Sequence, residues 1–279
     1  MRAPTALDPV TNTERVRTAF SAQAPLFDSY ESLNPVLGWM RRQVYAHEEE
    51  FLAPGASILE LNAGTGIDAL HFAEKGHSVF ATDNAQGMLA ELEKKVLGGS
   101  LGDRIEFRCV SYTDLDSLPR RRFDHVFSNF GGLNCVPDLR PIAEQLPRLL
   151  KVGATVTMVI MPHVCPWEIV HAATGNFRLA FRRFSRNGSL ANVEGIQFRT
   201  YYFSPGEVLT SFGRQFSLAR LRGLASLSPP PHMAPLARKH PSLYNALVRL
   251  DERLSSIPPF DRWADHYILT LRYSPSSQR

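Results

Sequence analysis

Apolar positions along the chain switch period several times, from helical spacing to short β-type runs and back. Residues 12 to 52 read as helix: Val16 and Phe20, then past Pro25 the run Phe27, Tyr30 and Leu33, then Val36, Leu37, Met40, Val44 and Tyr45. These positions recur at the three-to-four-residue interval of one helix face. Pro54-Gly55 turns the chain into a first strand, Ile58, Leu59 and Leu61. A helix with Ile67, Leu70 and Ala73 on one face and Phe72 beside it stops at Gly76. Further strands, rich in β-branched and aromatic residues, are predicted at 77–82, 104–110, 123–128 and 154–160. Strands alternating with helices imply a mostly parallel sheet covered on both faces.

The regular alternation lapses at Pro162. Residues 162–203 form an insertion before Ser204-Pro205-Gly206-Glu207 restarts the core with a capping-box signature. That helix turns Val208, Leu209 and Phe212 inward and leads to a strand near Phe216 to Leu224. A second elaboration, Ser226 to Ala264, opens on Pro229-Pro230-Pro231 and contains a helical stretch with Leu243, Leu247, Leu250 and Leu254. Asp265 to Leu271 reads as the closing strand. Ligands of open α/β sheets bind at the carboxyl ends of the strands, so both insertions are expected there or beside them, as substrate-recognition parts. Within the first, Phe177, Phe181 and Phe184 share a helix face, with Arg178, Arg182, Arg183 and Arg186 largely elsewhere. Three readings fit: a helix packed on the sheet with a solvated basic face, an aromatic lid over an apolar substrate, or a helix resting on a membrane surface. Phe198, Tyr201, Tyr202 and Phe203 downstream suggest an aromatic hairpin and favour the lid over membrane docking.

At 279 residues and 44% hydrophobic content the chain can build a full core without disulfides, as one large domain or one with an elaboration. Cys109, Cys135 and Cys165 show no CxxC spacing and leave at least one thiol unpaired, which fits a reducing, cytoplasmic setting and argues against a structural metal site. Met1 to Val10 lacks the apolar run of a signal peptide, and no segment approaches the roughly 18 apolar residues of a membrane span. The net charge of +4 is compatible with an acidic ligand and does not require nucleic acid.

The chemistry concentrates in Ser57 to Asp83. A strand runs into a Gly-containing turn, Asn62 to Gly66, at a helix N-terminus, where backbone N–H groups and the helix dipole suit an electron-rich ligand group. Asp83, about 20 residues on at the tip of the next strand, is where a ribose hydroxyl pair would be gripped. The pattern predicts a nucleoside cofactor. Gly64-Thr65-Gly66-Ile67-Asp68-Ala69 satisfies the dinucleotide fingerprint, but Glu60 ends the first strand pointing into the turn. Its carboxylate repels a pyrophosphate and pairs with the ammonium group of a sulfonium nucleoside that carries an amino-acid tail. Electrostatics therefore favour S-adenosylmethionine over NAD.

Glu60-Leu61-Asn62-Ala63-Gly64-Thr65-Gly66, Ala81-Thr82-Asp83-Asn84 with Met88, Phe123 to Phe130, and Leu149 to Ala154 follow one another in the order of a known family. On these blocks the chain resembles the class I, Rossmann-like S-adenosylmethionine-dependent methyltransferases, closest to the ubiquinone/menaquinone methyltransferase-like small-molecule branch. It departs from them by carrying Asn62 at the first glycine of the turn; Asn tolerates the unusual backbone angles better than other non-Gly residues. The resemblance implies an α/β fold, a Rossmann-like, mostly parallel seven-stranded sheet flanked by helices. It implies a helical cap over 1–52, a cofactor-binding core over 53–161, a lid insertion over 162–203, and the rest of the core over 204–279 with the second insertion at 226–264. It also implies cofactor contacts from Tyr30, Glu60, Asn62, Gly64, Gly66, Asp83, Asn84, Met88, Ser111, Tyr112, Asn129 and Phe130. S-adenosylhomocysteine is then the product, and no metal is expected.

Methyl transfer is an in-line displacement, accelerated by holding the reacting atoms roughly 3 to 3.5 Å apart and by excluding water. Neither effect demands a dedicated residue. For a hydroxyl or activated-carbon nucleophile a general base helps, and His is the commonest type. His163, just past the strand ending at Met161, is expected at the rim with Trp167, Glu168 and His171; a plain loop polar residue is the alternative. His266, preceded by Asp265, is the second candidate; a structural hydrogen-bonder at a strand start is its alternative. Trp167, Phe181 and Tyr201 are the candidate substrate contacts. A nucleic-acid amino-methyltransferase would carry a Pro pair after Asn129, where Phe130-Gly131 stand, and basic residues are dispersed rather than striped. A paired-Glu loop for protein arginine and a Tyr-x-x-x-Lys hydride-transfer pair are both missing. The sequence thus points to a small, largely apolar or aromatic acceptor methylated at O, C or N by a monomer or homodimer, with no nucleic acid and no stable membrane insertion. A methyltransferase for a prenylated quinone or lipid at a membrane, and a non-catalytic cofactor-binding protein, are the alternatives.

Overall fold

The computed structural model describes residues 8–275. The first seven residues of the expected cap, most of the Met1 to Val10 stretch, and the last four of the 204–279 segment lie outside the described residues.

Two helices lead. Helix α1 (Pro9–Ser32) starts on Asp8, whose side chain accepts from Thr11 N, and α2 (Pro35–Glu48) starts on Asn34, which accepts from Val36 N and Leu37 N. Each has Pro in its first turn, where the missing N–H costs nothing. Helix α1 runs straight through Pro25. The proline removes the bond to the Ser21 carbonyl four residues back. That same carbonyl packs so close to Gly87 that a Cβ there would lie 2.6 Å from it.

Strand β1 (Ser57–Leu61), helix α3 (Ile67–Glu74), strand β2 (Ser78–Asp83), helix α4 (Gln86–Leu97), strands β3 (Ile105–Cys109) and β4 (Phe123–Ser128), helix α5 (Arg140–Gln145) and strand β5 (Leu150–Ile160) follow in alternation. Beyond them come short helices α6 (Pro166–Ile169) and α7 (Phe177–Ala180), the hairpin β6 (Ser189–Val193) and β7 (Ile196–Thr200), then α8 (Pro205–Phe212) and β8 (Phe216–Leu224). Helices α9 (Ala234–Lys239) and α10 (Pro241–Leu254) and strand β9 (His266–Tyr273) complete the fold. The main sheet has seven strands in the order β3-β2-β1-β4-β5-β9-β8, parallel from β3 to β5, with β9 antiparallel to both β5 and β8. This is the mostly parallel seven-stranded, Rossmann-like arrangement expected. Its two faces carry separate cores, one around Leu59, Phe80, Phe123 and Tyr267, the other around Ile58, Phe72, Phe127 and Met40.

The turn expected at Leu149 to Ala154 is absorbed into β5. Its register against β4 jumps between Phe123 and His125, and Gly153 takes a left-handed φ of 82° inside the bulge. The capping box is present, with Ser204 Oγ accepting from Glu207 N and Glu207 accepting from Ser204 N. The aromatic hairpin is β6–β7, joined by Glu194-Gly195, both at positive φ as a tight hairpin turn requires. Phe198 of this hairpin packs with Val16 and Ala19 of α1.

One expectation about the insertions is corrected. The 176–186 segment is a single helical turn and a 3-10 turn, and its faces are inverted: Phe177, Phe181 and Phe184 are 49–62% exposed, whereas Arg183 is buried. An ion-pair network outweighs three phenyl rings in setting that orientation. The second insertion joins the end of β8 to the start of β9 and packs against α2; Leu243 and Leu250 of α10 are exposed and Asp251 is buried. Asp251 accepts from the backbone N–H groups of Ser226, Leu227 and Ser228 at 2.8–3.1 Å, fastening the start of the insertion to its helix.

Candidate active site

The parallel strands end in a cavity of about 350 Å³ between the sheet and the two leading helices. Its floor is the turn after β1. Asn62 (φ 51°), Gly64 (φ 58°) and Gly66 (φ 80°) all take left-handed angles, so the departure at Asn62 keeps the turn. The Asn62 side chain reaches across to β4: its Oδ1 accepts from Ser128 Oγ at 2.5 Å and its Nδ2 donates to the Asn129 carbonyl at 3.1 Å. Asp83 ends β2 with one carboxylate oxygen accepting from Gly64 N at 2.9 Å and the other from Ala85 N at 2.7 Å. Burial pushes its pKa up while these N–H groups oppose the shift.

The structure brings together on this cavity Asn62, Gly64, Asp83, Asn84, Met88, Tyr112, Asn129, Phe130 and His266. Others fall elsewhere. Gly66 caps α3 and meets Leu92, where a Cβ would lie 2.2 Å from Cδ1, so its glycine serves helix packing. Ser111 bonds Thr113 at the surface, and Tyr30 is half exposed on α1. Glu60 does not reach the cavity wall. It is buried beneath the turn with Oε2 unpaired, and burial together with Asp68 and Asp83 drives its pKa well above the usual carboxylate range.

The acid on the wall is Asp68, in the first turn of α3. It accepts from Tyr45 Oη (2.6 Å) and Asn129 Nδ2 (3.0 Å) and pairs with Arg41, which also holds Glu31 at 2.7 Å and lies 4.7 Å over the Phe130 ring. Burial opposes the charge on Asp68, but Arg41 and these donors keep its pKa below the ordinary value. The sequence reading missed Asp68 and Arg41. Leu37, Arg41 and Tyr45 stand four residues apart on α2, a polar residue within an apolar stripe, which was the available signal.

The far wall is Val16 and Phe20 of α1 with Cys135, Met161 and His266. His163 stays outside it, both ring nitrogens taken by the Arg183 carbonyl and Glu207 at 2.9 Å each. Trp167 donates to the Leu227 carbonyl and joins the two insertions, Phe181 faces outward, and Tyr201 is buried with its N–H on the Asn134 carbonyl. None of these lines the cavity. Cys165, Glu168 and Asp265 cluster like metal ligands, but Arg183 pairs with both carboxylates at 2.7 and 2.8 Å and supplies the positive charge itself. A wider groove of about 620 Å³ between α2 and α10 has none of the glycine-turn groups.

A cavity at the carboxyl ends of the parallel strands, floored by a glycine turn with Asp83 at the tip of the next strand, sits in a Rossmann-like methyltransferase architecture. Residues 58–153 match the family described as "Methyltransferase domain". Demethylmenaquinone methyltransferase of Clavibacter sepedonicus is 38% identical over 104 residues, 37% of this chain and 40% of that protein. Its counterpart in Corynebacterium glutamicum (strain R) is 28% identical over 142 residues, 48% of this chain and 57% of that protein. The chain thus spans about half the length of these curated relatives. The crystal structure of Burkholderia thailandensis 1,6-didemethyltoxoflavin-N1-methyltransferase, with its acceptor and S-adenosylhomocysteine bound, superposes with a TM-score of 0.59 at 17% identity, covering 98% of this chain and 93% of that one. The likeness places a methyltransferase domain over residues 58–153, within a Rossmann-like methyltransferase fold.

Proposed function

We propose that this protein methylates a small, largely apolar or aromatic metabolite from S-adenosylmethionine, leaving S-adenosylhomocysteine. The observation that carries this reading is Asp83 held against Gly64 N on the floor of the cavity. The residues fit the cofactor. Asp83 meets the ribose hydroxyls, and Asn84 and Met88 border the adenine. The acid on the cavity wall, Asp68, suits the ammonium group. Arg41 is the guanidinium on the wall for the tail carboxylate. Bound there, the cofactor supplies an electrophilic methyl group on sulfur. The protein's part is to orient an acceptor against the apolar wall of Val16, Phe20, Cys135 and Met161 and to exclude water.

Calorimetry with S-adenosylhomocysteine and NAD tests this directly. Asp83→Ala is expected to weaken S-adenosylhomocysteine binding by about 1–3 kcal/mol through lost hydrogen bonds to a charged acceptor. Binding of NAD in its place, or no change in the variant, defeats the reading. A second reading, a prenylated quinone or lipid acceptor taken at a membrane surface, is favoured by the exposed Phe177, Phe181 and Phe184 beside Arg178. Failure to co-sediment with anionic vesicles counts against it. No helix among the described residues is long and apolar enough to cross a membrane.

A further inference from the structure

We infer that Asp265 and His266 form the proton acceptor of the cavity, so that the atom methylated is a protic heteroatom, a hydroxyl oxygen or an N–H nitrogen. The inference rests on the proposed methyl transfer and specifies its acceptor.

His266 opens β9 at the cavity wall with Nδ1 2.9 Å from Asp265 Oδ2. Asp265 is itself gripped from the first insertion. Arg183 Nη2 donates to its Oδ1 and Nη1 to its carbonyl, both at 2.8 Å, and Arg183 Nε donates to the buried Glu168 at 2.9 Å. Burial opposes the charge on Asp265, but His266 and Arg183 hold its carboxyl far below the usual carboxylate range. A permanent carboxylate on Nδ1 fixes the tautomer that carries the proton there and leaves the lone pair on Nε2.

Nε2 has no hydrogen-bond partner among the described residues, and it lies beside Gly131, where a Cβ would come within 3.4 Å of it. The ring stands edge-on to Phe130, which lines the same cavity, with centroids 6.0 Å apart. His163, outside the cavity, spends both ring nitrogens on Arg183 and Glu207. His266 spends one and turns the other to the cavity. The charged and titratable groups around it are Asp265, Arg183, Glu168, Cys165 and His232 behind, and Glu31, Arg41, Asp68, Asp83, Tyr112 and Cys135 on the cavity.

The proton passes from the acceptor's oxygen or nitrogen to Nε2. The electron pair left on that atom takes the methyl group, and the sulfur keeps the pair of the bond it gives up. The imidazolium formed is compensated by Asp265 and returns its proton to water. Arg183 is a positioning residue in this scheme, acting through Asp265. The first insertion therefore backs the base.

The test starts without cofactor or acceptor. In ¹⁵N-histidine NMR spectra near neutral pH, wild-type His266 is expected with Nδ1 protonated and Nε2 bare. Asp265→Asn should lose that tautomer preference, while S-adenosylhomocysteine affinity stays within about twofold. Asp265→Asn keeps the side-chain volume; its melting curve and S-adenosylhomocysteine binding verify that it folds. A proton on Nε2 of wild-type His266, or an unchanged tautomer in Asp265→Asn, overturns the proposal. Turnover from labelled S-adenosylmethionine over a panel of phenols, ring N–H compounds and their O- and N-methylated counterparts supplies the second arm. Only the protic members should react, and His266→Gln should lower their turnover at least ~100-fold. Carbon methylation, or full turnover in His266→Gln, also overturns it. If wild-type protein binds no S-adenosylhomocysteine, the proposed function fails, and the NMR result still stands or falls by itself.

Discussion

The two walls of the cavity are built in opposite ways. The floor comes from one stretch of 27 residues, Ser57 to Asp83, in which a strand, a turn, a helix and a second strand place Gly64 and Asp83 2.9 Å apart. The far wall is assembled from α1, the segment after β4, the end of β5, and the start of β9, with Arg183 reaching Asp265 from 82 residues away. Local geometry fixes the first, because backbone angles and strand pairing leave little choice. The second depends on long-range packing, and its central charges are stable only as a set: a buried Arg183 without Asp265 and Glu168 would be an unpaired charge in the interior.

The contrast can be broken hardest at Gly66. Gly66→Val puts a branched side chain at φ 80° against Leu92, and an expected loss of about 2–5 kcal/mol combines overpacking with left-handed strain. Urea denaturation measures it. A loss under 1 kcal/mol would mean that the floor is less rigid than its geometry implies.

A smaller effect is expected where the leading helices meet β9. His47 of α2 bonds Thr270 of β9 at 2.7 Å, and burial with Arg222 and Arg220 lowers its pKa to about 3. The unfolded chain takes up a proton near pH 6.5 that the native state refuses. Stability should therefore fall as the pH drops from about 6.5 toward 3, by up to about 1.4 kcal/mol per unit. Denaturation midpoints of the protein and of His47→Gln at pH 7 and pH 5 compare the two. The variant should lose less, and parallel curves would assign the acid sensitivity elsewhere.

The smallest effect should come from His163→Ala. His163 belongs to the insertion but not to the cavity, so S-adenosylhomocysteine affinity should stay within about twofold, with a stability cost near 0.5–1.5 kcal/mol for its hydrogen bonds. A loss of turnover as large as that of His266→Gln would move the base back to His163 and reverse the reading of the two walls.

Legibility followed the same division. The seven strands and the acid at the tip of β2 could be read because each depends on short-range periodicity or on a turn with few solutions. Tyr201, Trp167 and Phe181 were misplaced because aromatic content says nothing about which face a loop turns inward. Arg41 and Asp68 escaped notice because the sequence separates two charges that meet only when α2 crosses α3.

The sequence alone determined the alternation of strands and helices, the left-handed turn at Asn62 to Gly66, and the acid at the tip of β2. Those features rest on dihedral preferences and hydrophobic period, which act over a few residues. Only the tertiary structure decided that Asp68 rather than Glu60 meets the cavity, that His266 rather than His163 faces it, and that the arginine of an aromatic segment turns inward. Each of these is a choice among burial environments, and burial is a property of the whole packed chain.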